Sequence, residues 1–195
     1  MVTVDTSSAT LSKSGGNPPF TITLNACVDS EQPITADTFR SVLQVSKSAL
    51  DHQGLEFKDI ETGKLAERPR MNVLVDRIPD MLSASTNTVV EIPPKDDALQ
   101  PYTVSHTFHI PQPPPLTERA FMSVEEQIRT AYNQAAGFAV GHTYEIGLGI
   151  GMSSISWWKS GGYGDIFASG PWSAHSKAPK LSMMLTNVAK FEVVE

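Results

Sequence analysis

The stretch FTITLNACV, residues 20–28, decides the fold class. Phe20, Ile22, Leu24, Ala26 and Val28 fall on one face, and Thr21, Thr23, Asn25 and Cys27 on the other. A period of two with β-branched residues on the wet side is the pattern of a half-buried strand. HTYEIGLGIG (142–151) repeats it, with Tyr144, Ile146, Leu148 and Ile150 expected inside. STNTVVEIPP (85–94) and YTVSHTFHIP (102–111) are two further extended runs closed by proline. Proline has no backbone donor for a sheet ladder, so it marks strand ends. GLEFKDIETGKLAE (54–67) reads as a hairpin with Gly63 at its turn, and RMNVLVDRI (70–78) as a strand after it. PKLSMMLTNVAKFEVVE (179–195) ends the chain as two short strands or one bent one.

Short strands about ten residues apart, separated by turn chemistry, predict an antiparallel β-sandwich. At 195 residues one domain is expected, with a core that needs no metal or disulfide staple. One segment breaks the strand pattern. Ser123 and Glu126 have capping-box spacing, and Ile128, Ala131, Tyr132, Ala135 and Phe138 recur at helical intervals. A helix is therefore predicted over about 123–138, inside a proline-rich insertion at about 111–138.

The net charge of −6, with no Lys/Arg run longer than two, argues against a nucleic-acid partner, since phosphate binding needs clustered cations. No apolar run approaches the 18 residues of a membrane span. Cys27 is the single cysteine, so no intramolecular disulfide is expected, and no lysine or histidine lies close in sequence to activate it. The opening MVTVDTSSATLSKSGG has no apolar leader core, which points to a cytoplasmic protein unless a leader has been removed.

The order FTITLNACVDSEQPIT, LEFKDIETGKL, VEIPP, HTFHI, GHTYEIGLG, SWWKSGGYGDIFA, KFEVVE resembles a group of uncharacterised proteins of filamentous fungi. It is also weakly similar to the β-domain that precedes fungal deuterolysin-type metalloproteases. The resemblance implies an immunoglobulin-like sandwich and no particular activity. It carries over no functional residues.

Candidate chemistry is sparse. His106 and His109 form H-x-x-H, but in a strand they point to opposite faces, so one core and one surface histidine are expected, with no metal site. His109, His142, Asp165 and His175 are the acid–base candidates if the protein is an enzyme, because an imidazole oriented by a carboxylate works near neutral pH. GLGIGMSS has alternating glycines but no helix behind them to cradle a phosphate, so they are expected to make room for a bulky neighbour. In SWWKSGGYGDIFA, adjacent Trp157 and Trp158 must face opposite ways, one of them into the core. Trp157, Trp158, Tyr163 and Trp172 form either a loop anchor or an aromatic ligand platform.

Three readings follow. The first is a non-catalytic binding or scaffold module, acting on an apolar small molecule or as a homodimer. The second is a cofactor-free cyclase or isomerase of an apolar metabolite, with Met152, Met183 and Met184 among an adaptable cavity wall. The third, a protease-associated prodomain or inhibitor, rests on the resemblance alone. No cofactor is implied by any of them.

Overall fold

The computed structural model describes residues 1–45, 48–68, 81–83, 85–96, 100–111, 123, 132–173 and 179–195. Among them the architecture is all-β. The strands are β1 (Val2–Thr6), β2 (Thr10–Ser12), β3 (Thr21–Ala26), β4 (Ile34–Asp37), β5 (Leu55–Asp59), β6 (Met81–Leu82), β7 (Val89–Ile92) and β8 (Tyr102–Thr107). They continue as β9 (Thr143–Leu148), β10 (Ser154–Ile155), β11 (Trp157–Ser160), β12 (Trp172–Ser173), β13 (Leu181–Ser182) and β14 (Lys190–Val194). Two short helices, α1 (Ser48–Asp51) and α2 (Tyr163–Phe167), complete the set.

Two sheets face each other. One has the order β1-β3-β8 and is antiparallel throughout. The other has the order β2-β14-β9-β5, in which only β2 and β14 run parallel. The expected alternation holds in β3, where Ile22, Leu24 and Ala26 are buried and the residues between them half-buried. Phe20 meets Phe191 at 4.9 Å between ring centroids, and Phe57 meets Phe108 at 5.8 Å, so aromatic rings fill the space between the sheets. The exposed edge of β1 is covered by Asn187. Its side-chain amide donates to the Val4 carbonyl and accepts the Val4 N–H, both at 2.8 Å, in place of a neighbouring strand.

A third sheet, β11-β4-β7, sits at one end. Its strands come from three separate parts of the chain: β4 between β3 and β5, β7 between β6 and β8, and β11 between β9 and β14. This assembly carries Trp157 and Trp158 on β11, while Trp172 lies on β12, paired with β6. The third sheet is not visible in any local pattern, because each strand is supplied by a different part of the sequence.

Several expectations need correction. Residues 132–138, the described end of the predicted helix, run through turns instead. Asn133 Oδ1 accepts the Ala135 N–H at 2.8 Å, and the Gln134 N–H goes to the His109 carbonyl, so local side-chain bonding displaces the helical ladder. Most of the rest of that segment, and the strand expected at 70–78, lie outside the described residues. Ile150 is 90% exposed, because β9 ends at Leu148 and the chain turns at 149–151. The glycine at 149 makes room for backbone, not for an aromatic ring. A Cβ there would come within 2.0 Å of the Gln53 carbonyl oxygen, while its own N–H donates to the Gly54 carbonyl at 2.8 Å. Gly63 sits at the hairpin turn with φ +71°, as the turn chemistry requires.

Candidate functional site

Trp157 and Trp158 do point to opposite sides of β11. Trp157 is buried in a small separate core with Leu82 and Val89. Tyr163, Ile166, Phe167 and Trp172 pack against it, and the Trp157 and Phe167 rings stack at 6.2 Å. Trp172 Nε1 donates to the Ile166 carbonyl at 2.7 Å, and Lys159 Nζ lies 3.6 Å above the Trp172 ring. Three of the four aromatic candidates thus hold one another and α2 in place. They act as an anchor for the loop.

Trp158 faces the other way and packs on the main core. Its Nε1 donates to the Pro179 carbonyl at 2.9 Å, which fixes the ring at the edge of an apolar cleft of about 410 Å³. The floor is Val2, Ala26, Ile34, Leu43, Ile92 and Ile155, all buried. Trp158, Leu181 and Met183 form one wall, and Cys27 and Val28 the other. These residues come from β1, the end of β3, the third sheet and the segment 181–184, which is stitched down by Met183 N–H to Ser153 carbonyl (2.8 Å) and Val2 N–H to Met184 carbonyl (2.9 Å). Asp29 stands at the rim, where Lys95 Nζ at 2.7 Å holds its carboxyl below the ordinary range through a hydrogen bond and its charge.

The acid–base candidates lie elsewhere. His106 is buried with Nε2 2.7 Å from the Val42 carbonyl, and His109 is exposed, the division that strand geometry predicts. Asp165 is exposed on α2. His175 falls outside the described residues. His142 meets neither Asp165 nor the cleft. It opens β9, whereas Ile155 and Trp158 follow the far end of that strand, about 20 Å along it.

What His142 does meet is Asp59, 83 residues away in sequence. His142 Nδ1 lies 2.8 Å from Asp59 Oδ2 and 4.0 Å from Glu61 Oε2. Asp59 Oδ1 accepts the backbone N–H groups of Glu61 (2.9 Å) and Thr62 (3.1 Å), which shapes the hairpin turn. The three side chains bring one nitrogen and two carboxylate oxygens within 4.8 Å of one another, a donor set suited to a divalent cation. Hydrogen bonding already occupies both Asp59 oxygens, so the cluster is accounted for as a turn clamp. Burial pushes the Asp59 carboxyl up, but the bonds from His142 and the Thr62 backbone outweigh it and hold the group far below the usual carboxylate range.

That shift sets a pH dependence. With the folded value depressed below an unfolded value of about 3.9, the stabilisation is complete above that pH and is lost as pH falls through the folded value. Urea midpoints measured from about pH 5 down to about pH 2 should fall less steeply for Asp59→Asn than for the wild type. Equal slopes would remove Asp59 from the acid response.

The class defined by this geometry is an all-β sandwich with a third sheet and an apolar cleft at one end. No family model, curated protein or solved structure matches the chain. No helix among the described residues is long and apolar enough to cross a membrane.

Proposed function

We propose that the chain is a non-catalytic binding module whose ligand is an apolar small molecule held in the cleft beside Trp158. One observation carries this reading: a cleft of about 410 Å³ with a floor of six buried aliphatic and alanine side chains. Ligand pockets generally span about 300–1,000 Å³ and are lined mostly by apolar groups. None of His109, His142 or Asp165 lines it, which favours binding over cyclisation or isomerisation. The immunoglobulin-like part of the reading is supported by strand order. β1-β3-β8 facing β5-β9-β14 follows the arrangement A-B-E against C-F-G of that fold, with the cleft at the end where the B–C and F–G connections gather.

The test uses N-phenyl-1-naphthylamine, a neutral probe that brightens in apolar surroundings. It is expected to brighten with the wild type and to slow the reaction of Cys27 with a maleimide, because that thiol lines the cleft. At 100 times its dissociation constant the probe adds about 2.7 kcal/mol. For a domain of this size that raises the melting temperature by roughly 5–10 °C. Trp158→Ala should abolish all three effects. An unchanged Cys27 rate with bound probe would place the binding elsewhere and overturn the assignment.

A further inference from the structure

Sulfur is concentrated at this cleft. The lining includes Cys27, the only cysteine, and Met1, Met183 and Met184, three of the chain's seven methionines. Met184 is 65% exposed and Met183 half-buried, so oxidants in solvent reach the wall, whereas Met152 is buried in the main core. The backbone of this wall is fixed. Met183 N–H is bonded to the Ser153 carbonyl, and the Met184 carbonyl and Thr186 N–H clamp Val2 on both sides, at 2.8–2.9 Å. What can change here without unfolding the strand is the chemistry of the thioethers.

Resting on the cleft reading above, we infer that Met183 and Met184 are oxidation sites through which a peroxide switches ligand binding off. Each thioether sulfur attacks one peroxide oxygen and takes it up as a sulfoxide. The sulfur gives up two electrons, the O–O bond breaks, and the second oxygen leaves as water. Sulfoxide formation turns a flexible apolar side chain into a polar one. Met183 packs on the apolar core and shares the lining with Ile155, Leu181 and Trp158, whose N–H is already given to Pro179, while the hydroxyl groups of the lining, Ser30 and Ser182, are exposed to solvent. Seating an apolar ligand then requires burying the S–O group unpaired, which disfavours binding. The clamped backbone keeps the fold in place, so binding is lost without unfolding.

The experiment compares probe affinity before and after hydrogen peroxide, with sulfoxides located by mass spectrometry and folding followed by circular dichroism. Dithiothreitol after the peroxide reverses thiol oxidation and leaves sulfoxides, which separates Cys27 from the methionines. The oxidised wild type is expected to bind N-phenyl-1-naphthylamine about tenfold more weakly with an unchanged spectrum, and methionine sulfoxide reductase is expected to restore it. In Met183→Leu/Met184→Leu, peroxide should alter the affinity less than threefold relative to the same variant untreated. The inference is overturned if oxidised wild type binds as well as reduced, or if the double variant loses as much. No binding by the reduced wild type would remove the cleft reading itself, and the switch with it.

Discussion

Trp157→Ala is expected to destabilise the protein by about 3 kcal/mol, the loss typical of emptying a large aromatic site. For a chain of this size that is a melting decrease of roughly 6–12 °C. The indole is 2% exposed, and it is the centre on which Phe167, Tyr163 and Trp172 pack. α2 itself buries no residue, so without this ring it loses its largest packing partner and keeps the smaller Leu82 and Val89 side chains, with bonds such as Tyr163 N–H to Glu91 Oε2 at 2.6 Å. Trp157→Phe should cost much less, under about 1.5 kcal/mol. Phe keeps a ring to stack on Phe167, and it removes an indole N–H that is buried without a partner among the described residues. An orphaned donor of that kind costs about 1–3 kcal/mol, which offsets part of the lost volume. Urea unfolding of the three proteins decides the matter: equal losses in Phe and Ala would mean that the indole's own shape, and not ring packing, holds the loop. Binding by the cleft should survive in both, since Trp158 alone of the pair faces it.

The contrast between the two tryptophans shows what the sequence could and could not reveal. Their opposition follows from strand geometry, and so do the buried faces of β3 and β9, because period two is a local property. Which neighbour each ring meets is not local. Trp157 lies against Leu82 and Val89, and Trp158 against Ile155 and the 181–184 segment, contacts that exist only once three connections form the third sheet. The cleft was illegible for the same reason. Ala26 and Ile92 each read as an ordinary apolar strand residue, nothing in the local pattern singles out Val2 or Ile34, and only the sheet junction leaves a gap between them. The His142–Asp59 pair joins the start of β9 to the end of β5, and nothing near either residue in sequence signals the other. α2 has five residues, too few for helical periodicity to emerge.

Arg68 presents the same problem in its sharpest form. Nothing in LAERPR signals burial, yet Arg68 is 7% exposed. Its guanidinium carbon lies 4.8 Å from the Phe57 ring centroid, 5.3 Å from Phe108 and 5.8 Å from Phe138. Nε donates to the Gln134 carbonyl at 3.1 Å, while Nη1 and Nη2 are buried with no hydrogen-bond partner among the described residues. Burial pushes its pKa down to about 10, against the opposing pull of Tyr132 and Asp51, so the charged form is held at a cost. Cation–π attraction, about 2 kcal/mol for a desolvated contact, offsets part of that cost alongside the one bond from Nε. The side chain is therefore expected to matter as filler between the two sheets more than as a charge. Arg68→Ala should destabilise by about 3 kcal/mol, because it opens a cavity bordered by three phenylalanines. Arg68→Met should stay within about 1.5 kcal/mol of the wild type, since a thioether fills the same stem volume, contacts rings favourably and brings no unpaired N–H. The Asp51 carboxylate keeps its bond from Gln134 Nε2, at 2.6 Å, in either variant. Urea unfolding at neutral pH separates the two accounts: Met as damaging as Ala would show that the guanidinium charge, not the packed stem, holds the phenylalanine cluster together.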